Sequence, residues 1–469
     1  MRIQRCDLKT ISHHQFLRDD CKYWRTVGDI NFKNWVYLKE VFDVIKGSVQ
    51  TENYVDEVTR IPYVRIGDIS YKYGISTENI IYLDAESNVA NEKILRNNDI
   101  VLATIGATVG KVGVAVQVAG GTFSNNTVVL RPKQDALNVQ FYEKMLQTDF
   151  FISYILGVVS QKAQPNLQEY DLKHIKIPVI SSTVANCAVQ KITPIDEEIA
   201  KLRSQERTIE DITNSVFAKY FNLNLRTFLT IEECKILNID SAVLSNRNST
   251  LRFSYRWHKG QEIQSYLVST VDCCKPLGKY LCNTQNGWSP ECYDFPSDYQ
   301  VLGIDSITRE GKISFENVKY SDADKNNFDD YIVNDGDFFV SRGNTTDLVA
   351  LASIAEVDDD DPVTIFPDLM IRLTLSDQIN KRYLAYAINS FIGRLYFKYV
   401  TKGKNQTMVK VSPKELEEFM LPVPSLEIQR EIVEKINAEI EKQRKIEVQI
   451  ADLRAQIDNL IENTIQQSN

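Results

Sequence analysis

Cysteine and histidine are scarce in this chain, and neither is clustered. The 469 residues include eight cysteines and four histidines, and no two cysteines form a CxxC pair. Structural zinc sites need such residues at close spacing, so neither a zinc site nor a Cys-His or Ser-His-Asp arrangement is expected. Unpaired thiols in a chain of this length are typical of a reducing compartment, and the cytoplasm is the expected location.

Long apolar runs are also missing. The longest uncharged stretches, Ile100–Gly110 and Val112–Leu130, contain Gln, Ser and Asn residues and the pair Gly120-Gly121. They fit buried strands around a turn better than a membrane span. The first seven residues open no apolar run, so no signal peptide and no contact with a membrane are expected.

Motifs that carry catalysis are absent as well. None of the 13 prolines stands next to another, which excludes the Asn- or Asp-Pro-Pro-aromatic loop of amino-methyltransferases. Pro367-Asp368 is followed by no acidic-x-Lys triplet, the sequence with which many nucleases hold Mg²⁺. Gly106–Val112 resembles a phosphate-binding loop, but three residues separate its glycines and Val112 stands where Ser or Thr must reach Mg²⁺. We therefore expect no enzymatic activity from this chain.

The charge of the chain is uneven. Its net charge of -9 does not favour binding to nucleic acid. However, Lys381–Lys414 contains eight Lys or Arg residues and no acid, and Ala242–Gly260 is basic and free of acids too. The position of a basic face matters more for binding than the average charge.

The sequence repeats itself with a period near 240 residues. Three segment pairs match in order: Tyr63–Ile69 with Val301–Ile307, Leu95–Val101 with Ile332–Phe338, and Leu172–Val179 with Leu416–Val423. Asp99 and Asp337, like Ile69 and Ile307, are 238 positions apart, so the register is kept. Within each copy, short β-branched and aromatic runs alternate with turn signals and helical spacing. This pattern predicts two similar α+β domains.

A helical segment follows each copy. Apolar residues at heptad spacing predict a seam on each helix: Ile199, Leu202, Ile209, Ile212 and Val216 on the central helix, and Ile432, Ile436, Ile446, Ile450, Leu453, Ile457 and Leu460 on the C-terminal helix. Pro194 suits the first turn of the central helix, which is therefore predicted to begin there. We expect the two helices to pair as an antiparallel coiled coil; the alternative is that each packs only on its own domain.

Matched polar loops near the end of each copy are the first candidates for contact with DNA. Reading of sequence needs Arg, Lys, Asn or Gln against base edges, and phosphate binding needs cations and small donors. The loops supply Gln161, Lys162, Gln164 and Asn166 in the first copy and Lys402, Lys404, Asn405 and Gln406 in the second. Gln406 aligns with Gln164. Ordinary solvated loops are the alternative interpretation.

Three further sets of residues are candidates. The turns around Gly106 and Gly343 carry Thr104, Thr108, Lys111, Arg342, Asn344 and Thr345. The segment early in the second copy carries Gln285, Asn286 and Trp288, and Trp288 either stacks on DNA or closes the domain core. The loops after Gly67 and Gly303 carry Lys72, Arg309 and Lys312 as phosphate contacts.

This plan resembles the specificity subunits of type I restriction–modification systems. In that family a domain ends in Leu-x-x-Ile-x-Ile-Pro-x-Pro and then x-x-x-Gln-x-x-Ile, to which Leu416–Pro424, Gln429 and Ile432 are similar. The first copy lacks the second proline. Arg18–Trp24 and Leu251–Trp257 also resemble the Arg-rich aromatic stretch that precedes each domain of the family.

The resemblance implies an architecture and a set of partners. Target-recognition domains would span residues 1–181 and 226–424, with a central helical spacer at 182–225 and a C-terminal coiled-coil helix at 425–469. Each domain would bind one half of an asymmetric double-stranded DNA target, and the helices would set the gap. Two methylation subunits would bring S-adenosylmethionine and methylate adenine, and restriction–translocase subunits that use Mg²⁺ and ATP would cleave unmodified DNA. The chain itself would hold no cofactor.

Two other functions stay open. The chain could serve a related methylation or phage-defence system that has no motor subunit. It could also be an acidic coiled-coil scaffold that never contacts DNA, which the net charge favours and the acid-free Lys381–Lys414 segment opposes.

Overall fold

The computed structural model describes residues 34–48, 54–55, 60–84, 87, 89–159, 165–168, 171–172, 175–237, 239, 254–324, 326, 328–405 and 408–468. The chain forms two compact units. Unit 1 comprises residues 1–205 and 447–469, and unit 2 comprises residues 206–446. No helix in the described part is long and apolar enough to cross a membrane. The stretch at residues 18–24 that resembles the family lies outside the described residues.

Unit 1 contains the first repeat, an α+β domain. Its strands are β1 (Trp35–Tyr37), β2 (Phe42–Lys46), β3 (Tyr54–Val55), β4 (Ile61–Val64), β5 (Ile81–Leu83), β6 (Ile100–Ala103), β7 (Val112–Val114), β8 (Thr122–Phe123), β9 (Thr127–Pro132) and β10 (Lys176–Pro178). Its helices are α1 (Leu38–Val41), α2 (Val139–Leu146) and α3 (Asp149–Val158), and α4 (Ser182–Arg203) follows.

Unit 2 contains the second repeat, preceded by two helices. The helices are α5 (Ile209–Tyr220), α6 (Leu225–Glu233), α7 (Tyr255–Thr270), α8 (Lys381–Asn389), α9 (Phe391–Val400), α10 (Pro413–Glu417) and the start of α11 (Leu426–Ser468). The strands are β11 (Cys274–Pro276), β12 (Leu281–Asn286), β13 (Tyr299–Val301), β14 (Lys319–Ser321), β15 (Phe338–Ser341), β16 (Gly343–Asn344), β17 (Ala352–Ile354), β18 (Thr364–Ile365), β19 (Met370–Leu375), β20 (Lys402–Asn405), β21 (Met408–Lys410) and β22 (Met420–Pro422).

The sheets of the two repeats have the same strand order. The first repeat has an antiparallel sheet β2-β9-β6-β7, and the second has β12-β19-β15-β17. Each repeat also contains one parallel pair, β4 with β8 and β13 with β18, and one pair that joins its two ends, β1 with β10 and β11 with β22. The inner strands β6 and β15 are buried at every residue, as their uninterrupted apolar runs require. The predicted duplication and the α+β class are confirmed.

In each repeat, an ion pair joins the start of the inner strand to the neighbouring strand. In the first, Arg131 on β9 donates two hydrogen bonds to Asp99, with Nε–Oδ1 at 2.8 Å and Nη2–Oδ2 at 2.7 Å. In the second, Arg372 Nη1 on β19 lies 3.0 Å from Asp337 Oδ2. Each aspartate ends the turn that leads into the inner strand, because its carboxylate also accepts a backbone N–H three residues earlier. The pair therefore fixes where the inner strand begins.

The central helix begins earlier than the sequence suggested. Helix α4 starts at Ser182, where the Ser181 hydroxyl accepts the Val184 N–H at 3.4 Å, and Pro194 lies inside the helix. The predicted start at Pro194 was wrong. The preceding turns bury mainly Ala185 and Ala188, whose small side chains give a weak apolar pattern.

The central segment is also broken into two helices. Helix α4 ends at Arg203, and α5 begins after Thr208, whose hydroxyl accepts the Asp211 N–H at 3.0 Å. The Asp211 carboxylate accepts the Thr208 N–H in return. This capping box favours a new helix start, so the seam predicted as one continuous helix is interrupted.

Helix α11 contributes to both units and pairs with a central helix within unit 2. There the Arg207 N–H donates to Gln443 Oε1 at 2.9 Å, and the Tyr220 hydroxyl donates to Glu431 Oε1 at 2.5 Å. Arg207, just before α5, thus contacts a later residue of α11 than Tyr220 does at the end of α5. The two helices are therefore antiparallel. In unit 1, the last part of α11 contacts α4 through Arg454 and Asp196, with Nη1 3.6 Å from Oδ1.

The buried stripe of these helices departs from the predicted heptad seam. Buried seam residues are Ile199, Ile212, Val216, Ile432, Ile436, Ile450 and Ile457. Half-buried ones are Leu202, Ile209, Ile446, Leu453 and Leu460. On α11, the residues Ile440, Arg454, Ile461 and Ile465 are buried although the heptad seam did not include them. In unit 1 the buried positions 450, 454, 457, 461 and 465 advance by four, three, four and four, because a helix of 3.6 residues per turn drifts from a strict seven-residue repeat.

Candidate nucleic-acid interface

In the second repeat, two candidate loops join into one small sheet. Strands form in the order β16-β21-β20, so that Gly343 pairs with Lys410 and Asn344 with Val409. Lys402 on β20 pairs with Lys410 from the other side. The turn after the inner strand and the loop near the end of the repeat are distant in sequence but thus form one polar surface. We call it the second reading edge (residues 342–346, 402–405 and 408–410).

The first repeat joins its equivalent loops in the same way. Ile105 and Asn166 form a β-bridge, and the Gly106 N–H donates to the Pro165 carbonyl at 2.8 Å. The Leu167 N–H donates to the Thr104 carbonyl at 2.8 Å. Residues 104–111 and 165–166 form the first reading edge.

Thr104 and Arg342 occupy the same place in the two repeats. The Thr104 N–H donates to the Asn126 carbonyl at 3.0 Å, as the Arg342 N–H does to Leu369 at 2.7 Å. The Arg342 carbonyl accepts the Val411 N–H at 2.9 Å, matching the bond that Thr104 accepts. The same backbone position therefore carries a small hydroxyl in one repeat and a long cation in the other.

On the second edge, several polar side chains already have hydrogen-bond or ion-pair partners within the domain. Arg342 is half-buried and its Nη1 donates to the Asp368 carbonyl at 3.2 Å. Asn344 Oδ1 accepts the N–H of Thr345 at 2.8 Å, which shapes the turn. Lys402 is exposed and its Nζ lies 2.8 Å from Glu415.

Lys410 is the available cation of this edge. It is exposed, and its side chain has no ion-pair or hydrogen-bond partner among the described residues. Sequence reasoning missed it, because the candidate loop was ended at Gln406. The acid-free Lys381–Lys414 segment contained the signal.

On the first edge, the threonines serve the turn. The buried Thr104 hydroxyl donates to the Asn126 carbonyl at 2.9 Å, and Thr108 donates to the Ile105 carbonyl at 2.6 Å. Lys111 Nζ lies 5.4 Å from the centre of the Tyr71 ring, a cation–π distance. Of the first edge's predicted contacts, Lys111 thus retains a charge that no described acid compensates.

Three predicted phosphate contacts are ion-paired. Lys72 Nζ lies 3.1 Å from Asp149, and Lys312 Nζ lies 2.6 Å from Glu356. Arg309 is paired with Glu210. An acid beside each cation reduces the potential that a phosphate would meet.

The segment early in the second repeat is held within the domain. Gln285 Oε1 accepts from Arg372 Nη2 at 2.6 Å, and its Nε2 donates to the Asp330 carbonyl at 2.8 Å. Trp288 is half-buried with its ring 5.9 Å from that of Tyr331, so it covers a small apolar cluster. Asn286 is exposed.

Several predicted contacts cannot be placed. Gln161, Lys162, Gln164 and Gln406 lie outside the described residues, as do the side chains of Lys404 and Asn405. Their role, and the alignment of Gln164 with Gln406, stay predictions.

The charge network beside the second edge is anchored by Glu415. Burial of this carboxyl opposes ionisation, yet hydrogen bonds from Lys402 and Ser412 hold the pKa of Glu415 below its usual value. It therefore stays negative at neutral pH and fixes Lys402. Among the described residues, no group of three or more His, Cys, Asp or Glu could hold a metal ion.

Comparison with known proteins assigns the family. A family model described as the type I restriction modification DNA specificity domain matches residues 33–210 and 280–451. No curated protein matches. The chain is similar to a chain from a structure that describes complex assembly and conformational transition of the type I R-M system. The two are 16% identical, the match covers 92% of this chain and 97% of that one, and the TM-score is 0.44.

Two further solved structures are similar. They are the type I restriction–modification S subunit from M. genitalium (15% identity, 94% and 98% coverage, TM-score 0.41) and the HsdS subunit from Thermoanaerobacter tengcongensis (16% identity, 92% and 95% coverage, TM-score 0.30). The assignment rests on the family model, which matches both repeats and more than half of the chain. The chain belongs to the type I restriction–modification DNA specificity family and is a non-catalytic DNA specificity subunit.

Proposed function

We propose that each repeat binds one half of a divided DNA target through its reading edge. The observation that carries this is the same backbone junction in both repeats, with Thr104 and Arg342 at its equivalent position. A shared scaffold with different side chains suits two half-sites of different sequence, hence an asymmetric target. An arginine that turns toward a base pair in the major groove can contact guanine with two hydrogen bonds, whereas threonine cannot.

Lys111 and Lys410 are proposed to contact phosphates beside these bases. Both lack an acidic partner among the described residues, unlike Lys72, Arg309 and Lys312. Phosphate contacts set the register of a protein on the duplex, and base contacts set the sequence. A net charge of -9 makes such local cations the source of the salt-dependent part of binding.

The partners are proposed from family membership. Two methylation subunits would bind the helical regions, supply S-adenosylmethionine and methylate adenine in each half-site. Restriction–translocase subunits would add Mg²⁺- and ATP-dependent cleavage. A related methylation or defence system without the motor is the second candidate, and the genes beside this one distinguish the two.

The test compares variants in the complex with methylation subunits. Arg342→Ala combined with Lys410→Ala should weaken binding to one half-site by about 1–3 kcal/mol and reduce the salt slope of log K by about 1. Lys111→Ala should likewise reduce the salt slope of log K for the other half-site. Lys275→Ala, at an exposed position on β11, is the matched control. Mapping of methylated adenines gives the two half-sites directly.

A DNA-independent scaffold predicts a different result. In that case the complex would shift all DNA fragments equally, and the variants would behave like Lys275→Ala. Unchanged methylation at unchanged sites in the double variant would exclude the second reading edge. The sequence-based expectation that changing Lys404 and Gln406 together weakens one half-site is tested in the same assay.

A further inference from the structure

Unit 2 contains a cavity beside the second reading edge, which contributes Thr346 to its wall. Its volume is about 370 Å³, within the range of small-ligand sites. Helices α5, α6 and α9 and the turn at Thr346-Asp347 form its walls. It therefore lies beside the turn that carries Asn344 and Thr345, at the junction of the second repeat with the central helices.

Arg394 on α9 lines this cavity and lacks partners for most of its donors. The side chain is 8% exposed. One nitrogen, Nη2, donates to the Val349 carbonyl, while Nε and Nη1 are buried without a hydrogen-bond partner among the described residues. A buried unsatisfied donor is costly and rare in folded proteins, and a guanidinium offers a planar fork of donors that matches a carboxylate.

The other charges of the cavity are already compensated. Arg309 is paired with Glu210, and Lys398 Nζ lies 2.6 Å from Glu232. Asp347 is exposed and forms no ion pair in the described part of the chain, so solvent weakens its attraction for Arg394. Arg394 forms no ion pair with a described residue, although Glu210 and Asp347 attract its charge from a distance. Burial and the nearby Arg309 lower its pKa to about 9, which still leaves it charged at neutral pH.

Apart from Asn214 and Thr346, the rest of the lining is apolar. Phe228 and Leu225 on α6 and Phe391 and Leu395 on α9 supply most of it, and Leu229 lies at an exposed position, 51% accessible. Such a wall favours a ligand with an apolar body, and one unpaired cation favours a single negative charge.

We propose that this cavity binds a monoanionic carboxylate with an apolar body, held by Arg394. The carboxylate belongs either to a free organic acid or to an acidic side chain of a partner protein. Because the Arg394 hydrogen bond to Val349 ends the turn that begins at the second reading edge, occupancy also stabilises that turn. Binding of the ligand does not depend on DNA, so this proposal can fail while the proposed DNA function stands.

The test uses the full chain without DNA, with 4-phenylbutanoate as the probe. Isothermal titration calorimetry should detect saturable binding of 4-phenylbutanoate and none, or about tenfold weaker binding, of the neutral 4-phenylbutanamide. Arg394→Met should weaken the acid by about tenfold or more and leave the amide unchanged. Arg226→Met, an exposed position of α6 outside the cavity, is the matched control and should change nothing.

Two further measurements keep the outcome clear. Leu229→Trp blocks the cavity from an exposed position and should abolish binding even if Arg394→Met folds poorly. Arg394→Met removes a buried charge but also the hydrogen bond to Val349, so its melting temperature is measured to establish that the variant folds. Absence of binding by the wild-type chain at millimolar 4-phenylbutanoate, or equal binding of acid and amide, overturns the proposal.

The two sources of the carboxylate are separated with the methylation subunit. If assembly with that subunit displaces 4-phenylbutanoate from the wild-type chain, the natural ligand is an acidic side chain of the partner. If the assembled complex still binds the probe with the same affinity, the ligand is a free acid.

Discussion

The buried pair Arg131–Asp99 should be far more important for stability than its counterpart Arg372–Asp337. Arg131 and Asp99 side chains are 9% and 1% exposed, and Arg131 makes two bonds to the carboxylate and one each to the Glu92 and Ile94 carbonyls. Arg131→Met leaves a buried carboxylate without its cation, which costs about 3–5 kcal/mol. Arg372 and Asp337 are 16% and 21% exposed, so water partly compensates and Arg372→Met should cost about 1–3 kcal/mol.

The assay is denaturant unfolding of the full chain, with hydrogen exchange at β6 and β15 to assign each loss to its repeat. Arg96→Met, an exposed neighbour in the same turn, should stay within about 0.5 kcal/mol of wild type. Adding Asp99→Leu to Arg131→Met should restore part of the stability, because an apolar pair leaves no buried charge. A loss below about 1 kcal/mol for Arg131→Met, or a loss no larger than that of Arg372→Met, would refute this reasoning.

Three further predictions concern unit 1. Burial raises the pKa of Glu143, so its contribution to stability is fully present below the usual glutamate pKa and is lost as the pH rises through the raised value. Glu143→Gln should therefore be more stable than wild type at pH 7. Denaturation midpoints should show that this difference in stability closes toward pH 4. Ile461→Ala, at a fully buried position of α11, should lower the free energy of unfolding by about 2–5 kcal/mol. The half-buried Leu453→Ala should lower it by about 1 kcal/mol. Equal losses would support the heptad seam that the sequence predicted. Pro194→Ala gives the Gln190 carbonyl a helical partner and should stabilise α4 by about 1–2 kcal/mol in the same unfolding assay, and a loss would mean that the helix needs its proline geometry.

Much of the fold could be predicted because the duplication can be recognised over long segments of the sequence. The match of Leu172–Val179 with Leu416–Val423 identified the end of each repeat, and the structure closes both repeats there, with Tyr142 and Tyr383 hydroxyls donating to the Pro178 and Pro422 carbonyls. Internal repetition compares the chain with itself, so it does not depend on weak local propensities.

The helical segments were predicted less well, for two physical reasons. Alanines at 185 and 188 pack closely and leave little apolar signal, so the start of α4 was missed. Arg454 is buried on the stripe of α11 with its guanidinium 4.7 Å from the centre of the Tyr73 ring. A pattern that counts only apolar residues assigns that turn to Leu453 instead.

The candidate interface could be predicted as a set of segments but not as a set of contacts. Loops around Gly343 and Lys402 were named separately, and only the β16-β21-β20 pairing shows that they form one edge. Which polar side chains remain available depends on partners distant in sequence: Glu356 engages Lys312, and Glu415 engages Lys402. Composition cannot reveal such pairs.

The two repeats separate the residues that maintain the fold from those that we propose to set specificity. Asp99–Arg131 and Asp337–Arg372 keep the same side chains in both copies, because they fix the start of the inner strand from within the domain. Position 104 and its equivalent 342 differ completely, although their backbone atoms make the same two hydrogen bonds. Since those bonds come from the main chain, a change of side chain there leaves them in place, so the proposed recognition can change without loss of the fold. A duplicated scaffold of this kind can therefore diverge at its reading edges while both copies keep folding in the same way.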